Sequence, residues 1–124
     1  MMKEDRLTLA VRLAEFSNGI LSTQVNPDHI TLKVENRVAI VVSGSDQVGF
    51  YIRSTELLER IRGAGFATAK AREKYHKDQN KYLLRHLSLA EINSNEALFK
   101  EIVLESVETI KDQRPKEKNF IAYA

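Results

Sequence analysis

The sequence predicts an α+β domain in which helices pack on an antiparallel sheet, with the elements in the order α-β-β-β-α-β-β-α. Two observations carry this prediction. Apolar residues recur at helical spacing near the start, middle and end of the chain, and between these parts they alternate with polar residues in runs separated by turn residues. Because the strands and helices lack the regular alternation of parallel sheets, we expect the strands to be antiparallel.

The length of 124 residues is that of one domain. We expect residues 1–113 to form this domain and residues 114–124 to form a charged link with an apolar C-terminal tail. The absence of cysteine excludes disulfides, cysteine zinc sites and thiol nucleophiles. No apolar run approaches the ~20 residues of a membrane span, and the N-terminal pattern is not that of a signal peptide. A cytoplasmic protein that does not associate with membranes is therefore expected.

The first helix is predicted to end at Asn18-Gly19, since glycine readily takes the left-handed conformation that ends helices. It carries two apolar stripes, more than one sheet requires. Either the helix is buried on both sides, or one stripe binds a partner. The candidate partner-binding residues are those of the second stripe, Leu9, Leu13 and Phe16, and the first stripe comprises Leu7, Ala10, Val11 and Ala14.

Residues 20–28 are predicted to be a connection, and the period then changes to two. Alternation over residues 30–35 predicts a strand with one polar face, and the apolar run 38–42 predicts a central strand. A third strand over residues 48–53 completes a three-stranded meander.

Ser54 is placed to cap a second helix, which the glycines near residue 64 end. Residues 67–72 alternate between alanine and polar residues, which predicts a fourth strand. The alternative is that the helix continues, since alanine and lysine favour helices. A polar turn and a fifth strand over residues 82–87 would complete a hairpin.

The last helix has the strongest signal. Ser88 and Glu91 have capping-box spacing, which marks at least a short helical turn. A long amphipathic helix is then predicted over residues 94–112. Three carboxylates, Glu101, Glu105 and Glu108, are expected on its solvent-exposed face.

This layout resembles the type III secretion chaperone-like fold. The likeness rests on the strand, capped turn and helix that begin with Tyr82-Leu-Leu-Arg-His-Leu-Ser-Leu-Ala-Glu91, and on the meander of residues 30–53 followed by Thr55-Glu-Leu-Leu-Glu-Arg-Ile61. It spans residues 5–112. The resemblance implies a homodimer that holds other polypeptides without catalysis.

The sequence carries no pattern typical of an enzyme or of a cofactor or metal site. His29, His76 and His86 lack the spacing of a helical metal pair, and no cysteine accompanies them. The Gly63-Ala-Gly65 segment follows a helix and lacks the third glycine of a dinucleotide loop, so it is interpreted as a helix terminator. We therefore expect no enzymatic activity, no cofactor and no metal.

The predicted hairpin of residues 70–86 is the most basic part of the chain, with six cations against two acids in 17 residues. Tyrosine and histidine residues are interleaved with these cations, which favours binding to a phosphate backbone. The alternative is a charged sheet edge that discourages aggregation. The candidate anion- or nucleic-acid-binding residues are Lys70, Arg72, Lys74, Lys77, Lys81 and Arg85.

Two functions follow as hypotheses. The first is a non-enzymatic interaction module that binds a polypeptide partner as a homodimer. The second is a small nucleic-acid-binding protein that uses the basic hairpin of residues 70–86.

Overall fold

The computed structural model has the predicted α+β architecture, and its described residues form four helices against a six-stranded antiparallel sheet. The structure describes residues 2–44, 46–70 and 80–112, and the side chains of residues 6–44, 46–69 and 80–112. The predicted link and tail therefore lie outside the described residues. The helices are α1 Met2–Glu15, α2 Thr55–Gly63, α3 Leu89–Ser94 and α4 Glu96–Asp112. The strands are β1 Ser22–Val25, β2 His29–Val34, β3 Arg37–Ser43, β4 Gln47–Tyr51, β5 Thr68–Lys70 and β6 Lys81–Leu84.

The strands lie in the order β1-β2-β3-β4-β6-β5, and every neighbouring pair is antiparallel. The tight turn between β2 and β3 places Glu35 and Asn36 at φ values of 52° and 66°. Two successive positive φ values are typical of the type I′ turn, whose backbone twist matches that of the two strands it joins. The meander predicted from the alternating pattern is thus confirmed.

The helices form one layer, since α1 contacts α3 and α4, and α4 also contacts α2 and α3. Within this layer α4 packs on β3 and β4, and α1 packs mainly on β2. Alternate apolar side chains of the strands point into the space between the layers. The largest fully buried side chains include Phe50, Phe99, Leu13, Leu32, Ile40 and Ile102.

Capping residues start α2 and α3 where the sequence predicts, and α2 ends near the predicted glycines. The Ser54 hydroxyl accepts a hydrogen bond from the Leu57 backbone N–H at 3.1 Å and caps α2. Ser88 and Glu91 form a complete capping box at the start of α3. The helix ends at Gly63 and the chain enters β5 at Thr68, so the alternative of a helix continuing through residues 66–70 is wrong.

Three boundaries differ from the prediction. β1 lies in the segment predicted to be a connection, and it was missed because it has little apolar alternation. β6 ends at Leu84 and not at Leu87, since His86 takes a φ of 60° and turns the chain towards α3. Asn95 separates α3 from α4, so the segment predicted as a turn and a long helix holds two helices. Among the described residues no helix is both long enough and apolar enough to cross a membrane.

The fully buried position of Leu13 leads to a stability prediction. Leu13→Ala should lower the free energy of unfolding by about 2–5 kcal/mol, because it removes buried methyl groups and leaves a cavity. Urea denaturation measures the change. Val11→Ala on the same helix is the control, since Val11 is 46% exposed, and its effect should stay within about 0.5 kcal/mol. Equal losses for the two variants would contradict this orientation of α1.

Candidate functional site

The structure buries the second stripe of α1 and part of the first, since Ala10 is also fully buried. Leu9, Leu13 and Phe16, the residues expected to bind a partner, are buried between the helix layer and the sheet. This burial arises because α1 packs on β2 and against α4 with this side, and it does not suit the partner-binding role predicted for the stripe. The exposed apolar residues of α1 are instead Leu7 and Val11, at 44% and 46% exposure.

A groove of about 360 Å³ runs beside these two residues, between α1 and α3. Leu7 and Val11 lie one helical turn apart on one wall, and Leu89 contributes from α3. Leu89 is brought here by the Ser88 cap, which starts α3 immediately before it. The groove is lined by Leu7, Thr8, Val11, Arg12, Glu15, Leu89 and Asn93.

Arg12 fixes the rim of this groove. Its Nε donates to Asn93 Oδ1 at 2.8 Å, and its guanidinium also forms ion pairs with Glu15 and Glu96. The guanidinium carbon lies 4.6 Å from the centre of the Phe16 ring, a cation–π arrangement. Arg12 therefore links α1 to α3 and α4, and the width of the groove depends on it.

A second groove, of about 390 Å³, lies on the other side of Leu7. It is formed by the start of α1 and by the turn between β1 and β2. Val25, at the end of β1, is 66% exposed, the largest exposure of any large apolar residue among those described. Arg6 closes one side by donating to the Asp28 carbonyl at 2.6 Å.

The third groove, of about 430 Å³, brings together residue types used in nucleophilic catalysis. His86 Nδ1 lies 3.4 Å from Asp46 Oδ2, and Ser88 lines the same groove. However, the Ser88 hydroxyl accepts from the Glu91 N–H at 3.2 Å and lies 3.2 Å from the Glu91 carboxylate. These contacts make the Ser88 hydroxyl part of the capping box of α3.

The predicted basic hairpin is described only in part. Lys81 begins β6, with its ammonium 5.9 Å from the centre of the Tyr51 ring, and Arg85 is exposed beyond the other end of that strand. The backbone of Lys70 ends β5 opposite Tyr82. Arg72, Lys74 and Lys77 lie outside the described residues, so the anion-binding surface stays a prediction.

Two of the three carboxylates predicted to be solvated have structural partners. Glu101 accepts two hydrogen bonds from the Arg60 guanidinium, at 2.6 and 2.7 Å, and thereby joins α2 to α4. These hydrogen bonds hold the pKa of the Glu101 carboxyl below its ordinary value of 4.5. Glu105 accepts from the backbone N–H groups of Arg53 and Ser54 at 2.8 and 3.0 Å. Within the described part of the chain, no three acidic or histidine side chains are grouped so that they could hold a metal ion.

No known family model matches the chain, and no curated protein matches it. The candidate surfaces therefore rest on the geometry of the molecule itself.

The Arg60–Glu101 pair predicts a pH dependence of stability. Because the folded state lowers the pKa of Glu101, the pair contributes stability above the ordinary glutamate pKa and loses it as the pH falls through the lower folded value. The free energy of unfolding should therefore fall more between about pH 6 and pH 3 in the wild type than in Glu101→Gln. Glu108→Gln, on the exposed side of α4, is the control and should retain the wild-type slope.

The basic hairpin gives a second prediction. If it binds a phosphate backbone, Lys74→Glu with Lys77→Glu should weaken retention on heparin and lower the slope of log K against log salt by about 2. Lys100→Glu with Lys111→Glu makes the same change in net charge and should leave the slope unaltered. Equal effects of the two double variants would contradict binding of a phosphate backbone by the hairpin. Protection of the sheet edge would then be the role of Lys74 and Lys77.

Proposed function

We propose that this protein is a non-catalytic interaction module that binds an amphipathic helical segment of another polypeptide in the groove between α1 and α3. The observation that carries the proposal is the exposed pair Leu7 and Val11, one helical turn apart beside Leu89. Apolar side chains at this spacing form a ridge, and such a ridge packs against the matching ridges of a second helix.

The composition of the groove supports a polypeptide partner over a small polar ligand. Its wall is mostly apolar, whereas the two charged side chains on its rim, Arg12 and Glu15, are paired with each other, and Arg12 is also bound to Asn93 and Glu96. An apolar wall with a satisfied polar rim gives affinity by burial of partner side chains. The resemblance to type III secretion chaperone-like proteins agrees with this proposal, since that family implies a homodimer that holds polypeptides.

Val11→Asp tests the groove. The probe is a fluorescein-labelled, alanine-based helical peptide of about 15 residues with leucines one turn apart. The wild type should bind it saturably, as measured by fluorescence anisotropy. Val11→Asp should weaken binding at least about tenfold, because a carboxylate replaces a buried methyl contact. The aspartate is tolerated by the fold because Val11 is 46% exposed.

Two controls make the result specific. The same peptide with serine in place of leucine should not bind the wild type. Val25→Lys alters an exposed apolar residue outside this groove and should bind the leucine peptide as the wild type does. Binding of both peptides alike, or unchanged affinity in Val11→Asp, would contradict the proposal.

A further inference from the structure

Strand β1 forms one edge of the sheet. Within the described residues it pairs with β2 on one side and with no strand on the other. Its sequence, Ser22-Thr-Gln-Val25, has no charge and no proline, and all four residues are exposed. Sheet edges usually carry lysine, proline or a bulge that prevents pairing with another chain. The described part of β1 has none of these.

The backbone groups that this edge offers follow from the turn that joins β1 to β2. The Asn26 N–H donates to the His29 carbonyl at 2.9 Å and closes the turn. Because alternate residues of an antiparallel strand bond to the same neighbour, Ser22 and Gln24 also bond to β2. The N–H and C=O groups of Thr23 and Val25 therefore point away from the sheet. They lie symmetrically on either side of Gln24.

Three of the four large apolar residues that are exposed in the described part of the chain lie along this same edge. Val25 ends the strand, and Leu7 lies beside it in the groove below α1. Ile20, 46% exposed, lies just before the start of the strand. The path from Ile20 into β1 is fixed by the buried Ser17, whose hydroxyl accepts from the Leu21 N–H at 3.0 Å.

We propose that a second copy of this chain adds to β1 as an antiparallel strand, about a two-fold axis that is perpendicular to the sheet and passes midway between the Gln24 residues of the two copies. Thr23 of each copy then pairs with Val25 of the other, and the outward N–H and C=O groups of both residues are satisfied. The helices of both copies lie on the same face of one continuous sheet. Apart from Leu7, this interface is separate from the groove on which the proposed function rests.

The two-fold axis also matches the side chains at the two ends of β1. It places the end that carries Val25 and Leu7 beside the end of the second copy that carries Ile20, so exposed apolar groups cover one another. A register centred on residue 22 or 26 leaves part of the outward backbone groups unpaired and separates these apolar groups. The arrangement centred on Gln24 is therefore the most complete one.

Charged side chains lie at both ends of β1. The exposed Asp28 carboxylate lies at the Val25 end, 2.6 Å from His29 Nδ1, and Lys33 pairs with Ser22 at the other end. Antiparallel addition brings the Asp28 end of one copy to the Lys33 end of the other. Arg6, also at the Val25 end, directs its guanidinium to the Asp28 carbonyl. A strand this short buries little area, so we expect the dimer to be weak and reversible.

Cysteine cross-linking tests the register, since the chain has no cysteine of its own. The two Gln24 residues face each other with Cα atoms about 4.5 Å apart, within the range of a disulfide. Gln24→Cys should therefore give a disulfide dimer under mild oxidation. Ser22→Cys, on the same exposed face of β1, is the control, since its two copies lie about 14 Å apart. Faster cross-linking of Ser22→Cys, or none of Gln24→Cys, would overturn the proposal.

Sedimentation equilibrium tests the association without cross-linking. The wild type should dimerise reversibly and Val25→Lys should be monomeric, because the substitution places a charge at the new strand pair. Val25 is 66% exposed, so circular dichroism of the variant should match the wild type. Val11→Asp should retain the dimer. A wild type that stays monomeric up to about millimolar concentration overturns the inference. The proposed function is then still tested separately, by the binding of the peptide to Val25→Lys.

Discussion

The packing of α4 on β3 and β4 is the constraint on which the rest of the structure depends. Its apolar side buries Phe99, Ile102 and Val103 completely. Two polar residues attach it to the sheet. The Ser106 hydroxyl accepts from the Tyr51 N–H at 3.1 Å, and the Glu105 carboxylate accepts from the next two N–H groups after Ile52. Side chains of α4 thus satisfy the N–H groups of Tyr51, Arg53 and Ser54, whereas the Ile52 N–H donates to the Asn80 carbonyl.

The position of α4 determines which part of the sheet α1 can cover. With β3 and β4 already covered, α1 is left to pack over β2 and against the side of α4. Only one side of α1 then reaches the core, the side with Leu9, Leu13 and Phe16. Leu7 and Val11 face away, and the short α3 lies next to them because Arg12 binds Asn93 and Glu96. The exposed groove is therefore a consequence of how the helix layer is filled.

Signals that act within a few residues predicted the fold well. The Ser54 cap and the Ser88 capping box depend on short segments, and both are formed as predicted. Two of the features that escaped prediction are determined by distant residues. Strand β1 exists through its pairing with β2, since its own residues are mostly polar. The inward side of α1 was ambiguous because both stripes are apolar, and contacts with α4 and β2 decide between them.

Leu7 belongs to both proposed surfaces, since it lines the groove between α1 and α3 and also the groove at the end of β1. Leu7 loses its contact with water when the first of the two partners binds, whichever partner that is. The second partner then gains less from covering it, but it meets a helix whose position is already restrained. Burial of one leucine contributes about 1.5–3 kcal/mol, so the lost share is a fraction of that energy. Under the two proposals, any coupling between dimerisation through β1 and peptide binding beside Val11 is therefore limited to this fraction, so a monomeric variant such as Val25→Lys keeps an affinity for the peptide close to that of the wild type.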